Sequence, residues 1–369
     1  MESPRFVVLA DDLTSAAEAA GHLADTGRAA SVLLEAAAGG AAWPCMDLDT
    51  RHLTEAAATT RHARAVERLP AAGIYKTMDS SLRGNWAAEL AAVMQASNRR
   101  LAVVAPACPA YDRRTVGGHQ LANGVPVHLG PAGRDPVRPV TDSSVVRPIS
   151  CQGLTVASVT PEDFTLTGRS GVVVVDASTA ADLEGIAAAV QDRLAEIVLC
   201  GSPGLWEALH PVHQPRRDLP TTRKALVLIG SLHPTTREQL AKLTSSGVPV
   251  LTTDNAHEAV QLFETATTVA VATPEASAVG PQLSTLGEIG ARCAAAVPDL
   301  GFVLSGGDTA RALATALHTN EIRAAGTVAP GIMIGTLIGP NQPVITKAGG
   351  FGDPDTLISA VGALTRNAR

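Results

Sequence analysis

The stretch FVVLADDLTSAAEAAG, residues 6–21, decides the fold class. Its first five residues, 6–10, are all apolar, and the lack of polar alternation predicts a strand buried on both faces. Residues 16–23 then place alanines and a leucine at helical spacing, which predicts an amphipathic helix directly after the strand. A buried strand followed by a helix is the unit from which parallel α/β sheets are built.

The same alternation continues along the whole chain. Further apolar runs lie at residues 29–35, 101–107, 172–177, 196–201, 225–231 and 301–307. Helical patterns separate them, as at 310–317, where one face is again apolar. We therefore predict an α/β protein with two domains, each with a mostly parallel sheet flanked by helices. Two domains are expected because 369 residues exceed what one core usually accommodates.

The boundary between the domains is predicted from one segment. Residues 210–224, HPVHQPRRDLPTTRK, contain three prolines and four basic residues and have little hydrophobic periodicity. Such a composition is typical of an interdomain linker. We predict an N-terminal domain of residues 1–218 and a C-terminal domain of residues 219–369.

The composition excludes several classes of partner. The net charge is −6 and no dense run of Lys or Arg is present, which argues against binding to nucleic acid or to an anionic membrane surface. The five cysteines are scattered and form neither a disulfide framework nor a zinc motif. No segment approaches the roughly 20 apolar residues of a membrane span. We expect a cytoplasmic protein that acts on a small molecule.

Two aspartates directly follow the first predicted strand. Asp11 and Asp12 would lie at the carboxyl end of that strand, where open α/β sheets bind ligands. Ser15 and Glu18 have the spacing of a capping box that starts the following helix. The alternative, that one of the two aspartates only caps the helix, stays open.

A second polar cluster lies in GIYKTMDSSLRG, residues 73–84. A short strand ends there, and Lys76 and Arg83 together suit a carboxylate, because Arg clamps it bidentately and Lys acts as a point charge. Asn85 is predicted to cap the next helix. In the alternative interpretation, Asp79 and Arg83 form an internal salt bridge on a solvated loop.

A third loop is APACPAYDRRTVGGHQLANGVPV, residues 105–127. Its prolines and paired glycines indicate a rigid loop. The loop also carries two adjacent arginines. Arg113 is a candidate for substrate contact, and an exposed surface arginine is the alternative interpretation.

Three glycine-rich turns characterise the second half of the chain, at residues 228–240, 303–313 and 345–357. Each follows an apolar strand and leads into a helix, so backbone amides and a positive helix end converge on it, as phosphate binding requires. None matches the Walker A or dinucleotide fingerprint. Asp353 in the last turn is also an ordinary helix cap. Three turns together, with Lys347 beside the last, favour a nucleotide site.

With these motifs assembled, the chain resembles the four-carbon acid sugar kinase family, which includes threonate, erythronate and 3-oxo-tetronate kinases. The resemblance covers nearly the whole chain and is carried, in this order, by ADDLTSA, KTMDSSLRGN, APACPAYDRRTVGG, GSLHPTTREQL, LSGGDTA and ITKAGGFGDPDTL. It implies an N-terminal sugar-acid-binding domain, a C-terminal ATP-binding domain and an active site in the interdomain cleft.

The resemblance and the loops together define a set of candidate site residues. On the sugar-acid side they are Asp11, Asp12, Lys76, Asp79, Ser80, Arg83, Gly84 and Arg113. On the ATP side they are Ser231, Gly306, Gly307, Asp308, Thr309, Lys347, Gly349 and Gly350. Mg²⁺ is expected on the ATP phosphates, with Asp308 as its protein ligand.

The hypothesis counts Asp12, Asp79 and Arg83 as catalytic residues and Lys76 as a substrate contact. Lys76 and Arg83 hold the substrate carboxylate, Asp12 accepts the proton of the attacking hydroxyl, and Asp79 is the runner-up base. Ser15 stands where the family commonly has glycine, so the exact acid stays open. The alternative function is a non-catalytic two-domain sensor of a small acid or nucleotide. A dehydrogenase is disfavoured because two carboxylates would face its pyrophosphate. A homodimer is compatible with the sequence.

Overall fold

The structure is a computed structural model that describes residues 6–34, 42–69, 72–135, 138–213, 218–252, 256–274 and 279–365. It divides into two compact units, of which the first comprises Met1–Ala19 and Ala42–His213 and the second Ala20–Ala41 and Gln214–Arg369. Residues 214–217 of the predicted linker, and residue 35 of the second apolar run, lie outside the described ranges.

The strands of these ranges are β1 (Phe6–Ala10), β2 (Ala30–Leu34), β3 (Trp43–Asp47), β4 (Gly73–Thr77), β5 (Leu101–Ala105), β6 (Arg113–Val116), β7 (His119–Ala122), β8 (Val125–Pro126), β9 (Val156–Val159), β10 (Gly171–Val175), β11 (Ile197–Gly201), β12 (Lys224–Ile229), β13 (Val250–Leu251), β14 (Thr268–Ala272), β15 (Leu300–Ser305), β16 (Glu321–Ala329), β17 (Ile332–Leu337) and β18 (Gln342–Lys347). The helices are α1 (Leu13–Asp25), α2 (Glu55–Arg68), α3 (Trp86–Ala96), α4 (Val146–Cys151), α5 (Ala180–Val190), α6 (Pro203–Leu209), α7 (Pro234–Ser245), α8 (Ala256–Leu262), α9 (Val279–Ala296), α10 (Gly307–Ala316) and α11 (Thr356–Thr365). Among these helices, none combines the length and the apolar character needed to cross a bilayer.

The first unit contains a fully parallel sheet with strand order β3-β1-β4-β11-β5-β10-β9. Its central strands are buried, as their uninterrupted apolar runs predict. Leu9 of β1 lies opposite Met46 of β3 and Lys76 of β4. Because these three strands are parallel and in register, the loops that follow them start at the same edge of the sheet. A separate antiparallel sheet has the order β6-β7-β8.

The second unit has a mixed sheet with the order β13-β14-β12-β15-β18-β17-β16-β2. The first five strands are parallel, and Ser305 of β15 lies opposite Ile229 of β12 and Lys347 of β18. The three glycine-rich turns therefore leave adjacent strands at one edge. The remaining strands run antiparallel, and β2 pairs with β16, which explains why residues 20–41 group with the C-terminal part of the chain.

The predicted α/β class with mostly parallel sheets is confirmed in both units. The alanine face of α1 is confirmed as well, since Ala16, Ala20 and Leu23 are fully buried. The sequence did not predict the antiparallel pair β16 and β17: burial alternates only in the first part of β16, and β17 is buried at all but one position.

Candidate functional site

The loops after β1 and β3 are fixed to each other in the first unit. The amides of Thr50 and Arg51 both donate to the carbonyl oxygen of Asp11, at 2.8 and 3.2 Å. These bonds hold the loop that carries Arg51 against the aspartate pair that follows β1.

Arg51 is the residue that joins the two predicted aspartates. Its Nε and Nη2 donate to the two carboxylate oxygens of Asp11, at 2.8 and 3.0 Å, and its Nη1 lies 2.7 Å from Oδ2 of Asp12. One guanidinium thus offsets two adjacent negative charges in a largely buried setting. Sequence reasoning missed Arg51. The available signal was DLDTR, residues 47–51, which is a polar run directly after an apolar strand.

Asp12 both caps α1 and reaches solvent. Its Oδ1 accepts a hydrogen bond from the Ser15 amide at 2.9 Å, and its Oδ2 accepts one from the Thr14 hydroxyl at 2.6 Å. The predicted Ser15 capping box is therefore wrong, because the helix starts two residues earlier and Ser15 lies inside its first turn. The side chain of Asp12 is 21% exposed, against 1% for Asp11. Of the two, only Asp12 is accessible to a ligand.

The pKa values of the two aspartates are shifted in opposite directions. Burial disfavours the charged form of Asp12, but Arg51 and the bonds from Ser15 and Thr14 outweigh it and hold the pKa of Asp12 below its usual value. For Asp11 burial prevails over Arg51 and raises the pKa. Asp12 is thus ionised at neutral pH and, unlike Asp11, accessible to a ligand.

Asp79 and Arg83 form the internal salt bridge that the sequence left open. Arg83 Nη2 lies 2.6 Å from Asp79 Oδ2, and Asp79 Oδ1 accepts the Ser81 amide at 2.9 Å. Burial opposes ionisation of Asp79, but Arg83 and Arg51 prevail and lower its pKa. Arg83 Nη1 also lies 3.9 Å from Asp135 Oδ2, but the Arg83 side chain is 38% exposed and lines a cavity, so an anion can reach it. The pair therefore does not exclude a role for Arg83 in binding.

Lys76 is not placed where it can touch a ligand. Its ammonium lies 2.8 Å from Glu89 Oε2, and neither side chain has exposed surface. Glu89 Oε1 also accepts the Thr50 hydroxyl at 2.6 Å, so this buried ion pair lies behind the loop that carries Arg51. We therefore reassign Lys76 from substrate contact to support of that loop. Glu89 was missed, although a carboxylate on the apolar face of α3 predicts a buried cation.

A cavity of about 550 Å³ lies beside Arg83 in the first unit. Arg83, Gly84 and Arg138 line it together with the first turn of α3 and Cys151. Arg138 Nη1 donates to the Asn85 side-chain oxygen at 2.6 Å, and the Asn85 amide donates to Thr50 and Leu53 carbonyls. The predicted cap by Asn85 is therefore wrong, since its side chain bonds elsewhere. The first-turn amides of α3 consequently have no side-chain cap from Asn85.

Gly84 connects the cavity to the aspartates. It lines the cavity, and a Cβ in its place would lie 3.1 Å from Asp11 Oδ2. Its φ of +87° also favours glycine. Any side chain at this position would push against the carboxylate that Arg51 holds.

Two predicted substrate residues have other partners. The carbonyl oxygen of Ser80 accepts a hydrogen bond from Gln120 Nε2 at 2.8 Å. Arg113 Nη1 donates to the Tyr111 carbonyl at 2.8 Å and begins β6. Within the described residues no ion pair joins Arg113 to Asp12 or Asp79.

Cys151 is the exposed thiol of the chain. All five cysteines lie in the described ranges, and Cys45, Cys108, Cys200 and Cys293 are buried. The cavity is therefore lined by one accessible thiol, that of Cys151.

In the second unit, the three glycine-rich turns converge. A Cβ at Gly306 would lie 3.6 Å from the Ser231 Cβ, and one at Gly349 would overlap the Ser231 hydroxyl oxygen. A Cβ at Gly350 would lie 3.2 Å from Nε2 of the His233 ring. The helices α7 and α10 both begin here, so two positive helix ends lie next to backbone that lacks side chains.

The other predicted nucleotide residues fall into two groups. Gly307 and Asp308 form the start of α10, where Asp308 is exposed. Thr309 is buried, and its hydroxyl donates to the Ser305 carbonyl at 3.0 Å and accepts the Gly230 amide at 3.1 Å. That hydroxyl ties two turns together, so the predicted ligand contact by its side chain is not supported.

Lys347 also lies beneath the surface, at 1% exposure. Burial lowers its pKa to about 8. Its ammonium donates to the Ala348 carbonyl at 2.9 Å and lies 3.4 Å from the Gly349 carbonyl. Lys347 thus contacts the loop from inside and does not reach its outer surface.

Comparison with known proteins identifies two domains in this chain. The model of a sugar-binding N-terminal domain matches residues 6–209, and that of a nucleotide-binding C-terminal domain matches residues 226–357. The D-threonate kinase of Bordetella bronchiseptica is 32% identical over 99% of this chain and 98% of its own length.

Two solved structures resemble the fold. A Salmonella typhimurium protein described as a putative tRNA synthase superposes with a TM-score of 0.82 at 19% identity, covering 98% of this chain and all of its own. A Bordetella bronchiseptica protein, crystallised with citrate as a domain-swapped dimer, gives a TM-score of 0.50 at 30% identity over 97% and 98% of the two chains. The matched domains and the identity along nearly the full length show that this chain belongs to the four-carbon acid sugar kinase family.

Proposed function

We propose that the protein is an ATP-dependent kinase that phosphorylates a hydroxyl of a four-carbon sugar acid, with D-threonate as the first candidate. The observation that carries the proposal is the charged array after β1, β3 and β4, in which Arg51 offsets Asp11 and Asp12 while Arg83 and Asp12 stay accessible. An accessible cation suits the acid's carboxylate, and an accessible, ionised carboxylate suits its hydroxyl. The substrate of the Bordetella relative supports D-threonate.

The proposed chemistry requires little covalent help from the protein. Arg83 binds the carboxylate of the acid, and Asp12 accepts the hydroxyl proton as the new O–P bond forms and the bond between the β and γ phosphates breaks. Asp79 remains the runner-up base, although both of its oxygens are bonded and its side chain is only 10% exposed. Arg51 acts through Asp12, whose charge and orientation it fixes.

ATP is proposed to bind at the turns that contain Ser231, Gly306 and Gly349, with its phosphates on the backbone amides and helix ends. Mg²⁺ would offset the phosphate charge, with Asp308 as its protein ligand. The described residues contain no group of three His, Cys, Asp or Glu side chains suited to a metal. A single carboxylate is nevertheless sufficient, because Mg²⁺ is usually held by one or two carboxylates plus phosphates.

A coupled ADP-release assay tests the proposal. The purified full chain is given ATP, Mg²⁺ and, one at a time, D-threonate, L-threonate, D-erythronate and 3-oxo-tetronates. We expect ADP release that depends on one acid and a product heavier by one phosphate in mass spectrometry. If acids and ATP bind but no ADP appears with any of them, the kinase proposal is contradicted and the sensor alternative is favoured.

Arg83→Ala should raise the KM for the sugar acid by about 30-fold, because a hydrogen bond to a charged group contributes about 2 kcal/mol. The KM for ATP should stay unchanged, since the nucleotide is proposed to bind elsewhere. Arg193→Ala is the matched control: Arg193 is also 38% exposed and pairs with a carboxylate close in sequence, Glu196, at 2.7 Å. An unchanged KM for the acid in Arg83→Ala would refute the carboxylate contact.

A cytoplasmic location and a homodimer belong to the same proposal. The Bordetella protein that was crystallised with citrate forms a domain-swapped dimer, which is a reason to measure the oligomeric state. Light scattering of the full chain after gel filtration would decide between monomer and dimer.

A further inference from the structure

The loop of residues 348–353 in the second unit is held from its buried side by three side chains. Lys347 Nζ donates to the carbonyl of Ala348 at 2.9 Å, and Thr236 Oγ1 donates to that of Gly349 at 2.6 Å. Gln239 Nε2 donates to the carbonyls of Phe351 and Asp353, at 2.9 and 2.8 Å. Lys347, Thr236 and Gln239 are all buried, whereas every residue of the loop is exposed or half-buried.

Fixing these carbonyl oxygens also fixes the direction of the amides. In a trans peptide the C=O of one residue and the N–H of the next point in opposite directions. With the carbonyls of Ala348, Gly349 and Phe351 turned inward, the amides of Gly349, Gly350 and Gly352 are directed outward. Successive outward amides without side chains form a concave site for an anion.

The surroundings of the loop agree with an anionic ligand. Gly349 lies against Ser231 and Gly350 against His233, so the loop adjoins the start of α7 and its positive helix end. Within the described parts of the second unit, Lys347 has no carboxylate partner and contacts only carbonyl and hydroxyl oxygens. A buried positive charge without a counterion stabilises an anion bound to the loop above it.

We propose that Lys347, Thr236 and Gln239 are positioning residues, which bind the carbonyls of the 348–353 loop so that its glycine amides face the phosphates of the nucleotide. This inference rests on the proposed binding of ATP by the second unit. It revises the predicted role of Lys347, which acts through the loop instead of touching the nucleotide. It also adds two residues, Thr236 and Gln239, to the nucleotide site.

Thr236 offers the sharpest test, because valine matches its shape and serine keeps its hydroxyl. Binding of ATP, ADP and adenosine to the full chain is measured by titration calorimetry. We expect Thr236→Val to weaken ATP and ADP binding about 10-fold, the cost of one misdirected phosphate contact. Adenosine, which lacks phosphates, should bind as to the unchanged protein, and Thr236→Ser should restore ADP binding.

A matched control is Thr319→Val, which removes another buried hydroxyl of the second unit, one that donates to the Ile338 carbonyl at 2.6 Å. It should lower thermal stability and leave ADP affinity unchanged. If Thr236→Val does not fold, Lys347→Met and Gln239→Met remove the other donors and should show the same loss of ADP affinity with adenosine unaffected.

The possible failures are distinguishable. If the unchanged protein binds ADP and Thr236→Val binds it equally well, or loses adenosine to the same extent, the positioning role is refuted while the kinase proposal stands. If the unchanged protein binds neither ATP nor ADP, the proposed function falls and the inference falls with it.

Discussion

Asp12→Asn is expected to lower kcat by about 10³-fold, the typical contribution of a positioned general base. Asparagine keeps the side-chain oxygen that accepts the Ser15 amide, and it is an equally good helix cap, so α1 should still begin at Leu13. It loses the negative charge that accepts the proton. The affinity for ATP, measured by calorimetry, should be unchanged, since only the first unit is altered.

Asp182→Asn is the control for this substitution. Asp182 is also a carboxylate at a helix start, where its oxygen accepts the Thr179 amide at 2.9 Å in the capping box of α5. Its replacement should leave kcat within about twofold of the original. Near-normal turnover in Asp12→Asn would remove Asp12 from the base role. A loss of turnover in Asp79→Asn instead would transfer that role to Asp79.

Arg51→Met is expected to lower the free energy of unfolding of the first unit by about 3–5 kcal/mol at pH 7, the usual cost of removing one partner of a buried ion pair. The substitution leaves the buried Asp11 and the partly buried Asp12 adjacent and without their guanidinium. Urea unfolding followed by tryptophan fluorescence reports on the first unit, because all three tryptophans of the chain, Trp43, Trp86 and Trp206, belong to it.

The pH dependence of this loss follows from the carboxylates. Arg51 holds the pKa of Asp12 below its usual value, so the stability contributed by this contact is present above the usual carboxylate range and is lost as pH falls through the lowered pKa. In Arg51→Met the unpaired carboxylates take up protons at higher pH and the repulsion between them is relieved. The difference between the two proteins should therefore shrink from pH 7 to pH 5.

Arg61→Met is the control for the stability measurement. Arg61 lies 3.8 Å from Asp49, and both side chains are more than 40% exposed. Such pairs contribute at most about 1 kcal/mol. If Arg51→Met unfolds at the same urea concentration as Arg61→Met, the two aspartates do not depend on Arg51.

The residues that sequence reasoning found are those marked by local pattern. Asp11 and Asp12 directly follow an apolar strand, and the turns with Gly306 and Gly349 lie between a strand and a helix. Both signals span fewer than fifteen residues, so they are visible without any knowledge of strand order. The seven apolar runs, which form β1, β2, β5, β10, β11, β12 and β15, belong to the same class of local signal.

The residues that were missed or misplaced depend on non-local neighbours. Arg51 meets Asp11 only because β3 pairs with β1, and that pairing cannot be inferred from the loop itself. Lys76 was expected to face a ligand, but Glu89 on α3 is close enough to draw the ammonium inward. The carbonyls that Thr236 and Gln239 hold belong to a loop more than a hundred residues away.

The exposed thiol of Cys151 allows occupancy of the cavity in the first unit to be measured without an enzyme assay. Because the other four thiols are buried, a maleimide dye should attach at this one wall, and a sugar acid that fills the cavity should slow the attachment. The rate of labelling thereby becomes a direct measure of occupancy, suitable for screening acids whether or not they are phosphorylated.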